Sequence, residues 1–215
     1  MKKAIVIASS KGIGKAIADS LKKLAIKVVT TSSKELDTSD IPQVKKFAEE
    51  QKETDILVLN TGGPPVKEFS DISETDWDKY HNQLFLSFCL ILQKIKINKG
   101  GYIFLISSSI IKEPIPNLIL SCAYRTALVS VLKSLTKSYA SREISCINIA
   151  PGPIKTERLT SLVKNMDDFA STLPMKRPGK PEEIGEFIKL IVEHDIKYRS
   201  GVTINFDGGL SNFLF

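Results

Sequence analysis

Cysteine and histidine are scarce in this sequence, and the shortage removes several kinds of chemistry at once. The three cysteines, Cys89, Cys122 and Cys146, are odd in number, far apart and set among apolar residues. They match neither a metal-ligand spacing nor a disulfide framework, and such usage suits a reducing cytoplasm. The two histidines, His81 and His194, stand far apart without acidic or cysteine partners at ligand spacing, and they read as surface residues with no metal to hold. No Gly-x-Ser-x-Gly elbow surrounds Ser107-Ser108-Ser109, which argues against a serine hydrolase. No stretch approaches the ~20 apolar residues of a membrane span. The apolar run behind Met1-Lys2-Lys3 stops at Ser9-Ser10-Lys11, too early for a signal-peptide core. The chain is therefore expected to be soluble and cytoplasmic. Its net charge of +6 comes from scattered lysines rather than one basic run, so solvated helix faces explain it better than a nucleic-acid stripe.

What the sequence does contain is an alternation of short β-branched runs with longer amphipathic stretches. At 215 residues it is long enough for one domain, 1–215, with a core that needs no disulfide or metal. Strands are predicted at 4–8, 27–31, 56–59, 102–107, 145–150 and 203–206, and helices at 13–24, 42–51, 74–97, 118–141, 166–171 and 181–192. The pattern implies an α/β fold of Rossmann type, a doubly wound parallel sheet with helices on both faces. Pro42 and Pro181 suit first helical turns, where a missing N–H costs nothing. A parallel crossover needs a dozen or more residues, and the few between Thr31 and Asp37 are not enough for one. The strand–helix unit after the second strand is therefore shortened, which predicts six strands with the second at an edge.

The segment from Ile5 to Ala18 reads as strand, small-residue turn, helix. A helix N-terminus placed there presents free N–H groups and a positive dipole end, which suits a diphosphate. Gly12 lets backbone approach such a ligand and Gly14 lets helix and strand pack closely, while Ser10, Lys11 and Ile13 flank the site.

These residues resemble the Thr-Gly-x-x-x-Gly-x-Gly turn of short-chain dehydrogenases and reductases. Leu59-Asn60-Thr61-Gly62 resembles that family's Asn-Asn-Ala-Gly, and Asn148 to Thr156 resembles its Asn-x-x-x-Pro-Gly-x-Ile-x-Thr. Segments 177–184 and 201–209 resemble its closing motifs. Within the family, the sequence is similar to a divergent subgroup compared with β-ketoacyl carrier-protein reductases, through Thr61-Gly62-Gly63-Pro64-Pro65 and Lys112 to Leu118. The turn departs from pattern because Ala8 occupies the first glycine position and Ile7 the threonine. The resemblance implies a nicotinamide dinucleotide held by the turn, including Ala8, with Asp37 at the adenine amino group. Asn60, Thr61 and Gly62 would line the adenosine ribose, and Pro151, Gly152, Ile154 and Thr156 the nicotinamide end. After the second strand, Thr30-Thr31-Ser32-Ser33-Lys34 carries no carboxylate for a ribose, and Ser33, Lys34 and Lys11 would accept a 2′-phosphate. NADP is favoured over NAD.

Family members protonate a carbonyl with a Tyr whose pKa is lowered by a Lys one helical turn later, beside a Ser that holds the substrate oxygen. Counted from Ser107-Ser108-Ser109, the Ser is Ser108, the Tyr position holds Ser121 and the Lys position holds Arg125. With Trp77 fixing the register, the family's relay Asn becomes Leu84. Arg125 keeps the positive field and the ribose contact. Tyr124 is the tempting substitute acid, but it lies about 100° around the helix from Arg125. Two hypotheses follow. One is an NAD(P)-dependent oxidoreductase acting on a small carbonyl or alcohol, with the proton from Ser121, Tyr124 or a water. The other is a catalytically idle nucleotide-binding sensor or assembly subunit. The apolar end Phe206, Leu210, Phe213, Leu214, Phe215, with family habit, points to a homo-dimer or homo-tetramer.

Overall fold

A computed structural model describes residues 1–214. Six parallel strands form one sheet: β1 (Lys3–Val6), β2 (Lys27–Thr30), β3 (Glu53–Leu59), β4 (Lys96–Ile106), β5 (Ser145–Pro151) and β6 (Val202–Phe206), in the spatial order β2-β1-β3-β4-β5-β6. Successive side chains on a strand face opposite ways. Accordingly Ala4 and Val6 join one apolar cluster while Ile5 and Ile7 join the other, and Tyr102 and Phe104 separate from Ile103 and Leu105 in the same way. Residues Ile17 and Leu21 of α1 (Gly12–Lys22) and Ile184 and Ile188 of α8 (Pro181–Glu193) cover the first face. The second is covered by Val44 of α2 (Ile41–Gln51), Phe88 and Ile91 of α4 (Ser87–Lys94), and Leu128 and Leu132 of α5 (Ile119–Ala140). Each such buried side chain contributes roughly 1.5–3 kcal/mol of apolar burial. The remaining helices are α3 (Glu74–His81), α6 (Glu157–Leu162) and α7 (Met166–Thr172).

The second strand is at the edge, as its short connection requires. Only turns separate it from α2, whose start is fixed by the Asp40 side chain accepting from the Gln43 N–H at 3.0 Å. The end of β1 is stapled to this edge strand by three bonds. Ala8 N donates to Thr31 Oγ1 at 3.0 Å, Ser9 N to the Thr31 carbonyl at 2.7 Å, and Thr31 N to Ser9 Oγ at 3.1 Å.

Some element boundaries differ from the sequence expectation. The single helix predicted over 74–97 is α3, a π-helical turn at Asn82–Leu86, and α4, which stops at Lys94; Lys96 and Ile97 already belong to β4. The wide turn keeps Tyr80 and Leu84 buried against Leu120 of α5 while Phe88 and Ile91 reach the sheet. β4 runs unbroken, but its pairing with β3 shifts register between the pairs Thr54–Ile97 and Ile56–Tyr102, where residues 98–101 bulge against Asp55. Helix α6 has no counterpart in the sequence reading; Thr156 caps it, accepting from Leu159 N at 3.4 Å. Pro116–Ala140 is long and apolar enough, by length and composition, to cross a membrane, contrary to the sequence reading. In this fold its inner residues Leu120, Ser121, Arg125, Leu128 and Leu132 are buried.

Candidate active site

The C-terminal ends of β1, β3, β4 and β5 open onto a cavity of about 520 Å³. Its floor begins at the turn after β1. Ala8 adopts φ +51°, the left-handed region that glycine occupies more easily, and Gly12 adopts φ +57°. A β-carbon on Gly14 would collide with the Ala8 carbonyl, so this glycine sets the close approach of α1 to the turn. No acidic residue lies in the first turn of α1 and no side chain caps it, leaving its leading N–H groups unclaimed beside the cavity. Asn60 Nδ2 donates to the carbonyl of Ala8 at 3.1 Å, tying the end of β3 to the same turn.

Most of the sequence-derived residues meet around this space. Ala8, Ser10, Lys11, Gly12 and Ile13 line it from the turn, Ser33 from the end of β2, and Asn60, Thr61 and Gly62 from the end of β3. Ser108, Ser121 and Arg125 line the middle, and Pro151, Gly152, Ile154 and Thr156 close the far side. Four residues stand apart, of which Lys34 is exposed outside the lining. Gly14 packs under the turn rather than facing the cavity. Asp37 is exposed and accepts from the N–H and hydroxyl of Ser39, both at 2.8 Å, outside the lining. Tyr124 is turned away, its hydroxyl donating to the Trp77 carbonyl at 3.1 Å and its ring edge-on to Trp77. The Tyr124 phenol is also pushed up by burial and by the Asp78 charge, the wrong direction for an acid near neutrality. Leu84, expected from the sequence at the relay position, is fully buried and brings no polar atom to the site. His81 is packed between Phe85 and Tyr124 rather than lying free at the surface.

The centre of the cavity is built on α5. Four-residue spacing puts Ser121 and Arg125 on one face, and Arg125 Nε donates to Ser121 Oγ at 3.1 Å. The remaining nitrogens of Arg125 reach the carbonyls of Ile106 at 2.9 Å and Thr61 at 3.3 Å. Arg125 is only 8% exposed, and among the described residues no carboxylate lies within ion-pair distance of it. Burial, and then the positive charge of Arg158, pull its pKa down to about 10, so it remains a cation at neutral pH. Ser108 Oγ sits beside the same space and accepts from Ile110 N at 3.5 Å.

The sequence reading missed the cavity's outer wall. Glu157, Arg158, Leu159 and Leu162 of α6 line it, as do Gly63, Ile110 and Leu118. Lys11 Nζ pairs with Glu157 Oε2 at 2.5 Å, so the lysine expected to meet a phosphate is engaged across the mouth. Arg158 donates to the carbonyls of Gly63, at 2.9 Å, and Pro64, bracing the Gly62–Gly63–Pro64 loop against α6. The signal was a capping Thr156 followed by Leu159 and Leu162 on one helical face.

Comparison with known proteins agrees with this architecture. A family model described as enoyl-(acyl carrier protein) reductase matches residues 35–211. The 3-oxoacyl-(acyl-carrier-protein) reductase FabG of Rickettsia conorii is 27% identical, over 97% of this chain and 96% of its own. A short-chain dehydrogenase/reductase from Serratia marcescens superposes with a TM-score of 0.88 at 23% identity, covering 98% of both chains. A short-chain dehydrogenase from Burkholderia cenocepacia, solved in complex with NADP, gives 0.86 at 21% identity over 97% of each.

Proposed function

The chain belongs to the short-chain dehydrogenase/reductase family of oxidoreductases, and from that premise we propose that it reduces a small carbonyl compound, or oxidises the matching alcohol, with NADP(H) preferred to NAD(H). The observation that carries the proposal is the bond from Arg125 Nε to Ser121 Oγ inside a cavity whose other end is an unclaimed helix N-terminus. The residues present fit a dinucleotide. The backbone around Gly12 and the first turn of α1 would hold the diphosphate. Asn60, Thr61 and Gly62 would hold the adenosine ribose, and Arg125, Pro151, Gly152, Ile154 and Thr156 the nicotinamide end. The preference for NADP rests on Ser33 in the cavity lining with Lys34 next to it in sequence, and on the nearest carboxylate, Glu35, being engaged by the Ser32 N–H and hydroxyl at 2.8 and 2.9 Å. The Burkholderia relative's complex with NADP is in keeping with it. When bound, the cofactor supplies the hydride.

The chain's own residues supply orientation and the proton. Because Ser121 Oγ accepts from Arg125, its hydroxyl hydrogen is left to donate toward a substrate oxygen. Ser108 gives that oxygen a second donor. The uncompensated charge of Arg125 then favours negative charge developing on the oxygen in the transition state. A serine is a far weaker acid than a phenol, so Ser121 passes its proton on and is refilled from water in the cavity rather than holding an acid of its own.

A second reading, dinucleotide binding without turnover, is favoured by Tyr124 turning to Trp77 and by the apolar Leu84. Titration with NADPH and NADH followed by a ketone and aldehyde panel separates the two. Binding with turnover supports the oxidoreductase, and binding with none supports the sensor. If neither dinucleotide associates even at millimolar concentration, both readings fail.

A further inference from the structure

The cavity wall carries an imbalance of charge that a dinucleotide at the turn does not remove. Its charged lining residues are Lys11, Glu157, Arg125 and Arg158. Lys11 and Glu157 cancel in their own ion pair at the mouth. The two arginines remain, and among the described residues neither has a carboxylate within ion-pair distance. Burial and then Arg158 loosen the proton of Arg125, and burial, partly offset by Tyr80, loosens that of Arg158.

A guanidinium has five N–H donors. Arg125 uses three on Ser121, Ile106 and Thr61, and Arg158 uses two on Gly63 and Pro64. All their acceptors are neutral. Arg125 is buried and Arg158 is exposed on the cavity wall, so an anion entering the cavity would meet two cations that no carboxylate neutralises and that have N–H groups to spare. Arg158 lies on the outer wall with its guanidinium on the Gly63 and Pro64 carbonyls, and the apolar Leu159 and Leu162 are on the same helix.

We propose that the substrate carries a carboxylate, recognised by Arg158 with Arg125 behind it, so that the preferred compound is a short oxo acid or the matching hydroxy acid rather than a neutral ketone. This rests on the oxidoreductase reading above for the carbonyl, while the anion site itself stands on the two arginines. Arg158 is a specificity residue here and takes no part in proton transfer. Its planar fork matches a carboxylate with two parallel bonds, which a lysine does not reproduce.

The test uses the full chain and three matched pairs: 2-oxobutyrate, acetoacetate and levulinate, each against its methyl ester. The three acids place the carboxylate at increasing distance from the carbonyl. Affinity is measured by calorimetry with and without NADP⁺, and turnover by the absorbance of the reduced nicotinamide. At least one acid is expected to bind about tenfold or more tighter than its ester, as charge-assisted hydrogen bonds allow. Arg158→Gln should erase that difference while leaving NADPH affinity unchanged. Arg158→Lys, which keeps the charge if the glutamine variant does not fold, should retain only part of it. Acids that bind no better than esters would overturn the proposal. So would an Arg158→Gln variant that loses NADPH instead of the acid, because Arg158 would then serve the cofactor. Acid binding without turnover would uphold the anion site and sink the oxidoreductase reading, so the two fail separately.

Discussion

Arg125 Nε points at Ser121 Oγ from one helical turn away, 3.1 Å distant, inside the cavity at the strand ends. The resemblance read in the sequence would set this pair at the family's Tyr and Lys positions. Removing the hydroxyl tests what the pair does. Ser121→Ala should lower kcat by about 10²-fold, the scale of a lost proton donor, with NADPH affinity unchanged. Stopped-flow turnover against a direct NADPH titration separates the two effects. An unchanged kcat would move the proton to water alone.

Arg125 makes a different prediction, about stability and pH. Its pKa is held to about 10 in the fold, well below the ordinary guanidinium range, by burial and then by Arg158. The folded protein binds that proton less firmly than the unfolded chain, so the group opposes folding at neutral pH. The opposition fades as pH rises above about 10. Arg125→Met should therefore cost little Tm at neutral pH, even though Ile106 and Thr61 lose a donor. It should still weaken NADPH binding about tenfold or more. A collapse of Tm with binding intact would show the residue to be structural.

Glu157→Gln frees Lys11 for an incoming phosphate. Both side chains are largely exposed, so the ion pair is worth under ~1 kcal/mol and the gain in NADPH affinity should be roughly twofold to fivefold. The gain should shrink as salt is added, and isothermal titration at two ionic strengths measures it.

Ala8→Gly relaxes a residue held at φ +51°. Relief of about 1 kcal/mol in the folded state is offset by the greater freedom of glycine in the unfolded chain, about 0.5–1 kcal/mol. Tm should stay within a few degrees of the parent. Dinucleotide affinity should rise, because the methyl group leaves the cavity wall. A weaker complex would mean that the alanine helps shape the floor.

Acid should loosen the cap of α3 at Asp76. Lys67, with the Ser73 hydroxyl and N–H, holds this carboxyl at about 2 against an ordinary 3.8, and it completes the cap of α3. A depressed pKa gives stability that is present above 3.8 and is lost as pH falls through about 2. Asp76→Asn should lower Tm at neutral pH, and the gap from the parent should close across that window in circular-dichroism melts.

The sequence carried the architecture further than the site. Edge placement of β2 followed from chain length alone, and the turn at Gly12 from small residues after an apolar strand. The break at Asn82–Leu86 was hidden because Tyr80, Leu84, Phe88 and Ile91 keep an apolar rhythm through the π turn. Lys11 and Arg158 were illegible for another reason. Their partners, Glu157 and the Gly63 and Pro64 carbonyls, lie 146, 95 and 94 residues away, and no local pattern encodes such distant meetings. Helical angle counts against Tyr124 as the acid without excluding it, and only the fold shows its hydroxyl committed to the Trp77 carbonyl.

The clasp between Ser9 and Thr31 has a kinetic corollary. A loop that must be frozen by its ligand loses freedom at the moment of encounter, and affinity suffers accordingly. Here the strand-end bend is already immobilised by the neighbouring chain. Its ordering is settled during folding, and a visiting nucleotide meets a surface that has little left to rearrange. Loosening that clasp, as with Thr31→Val, should slow capture more than it hastens release.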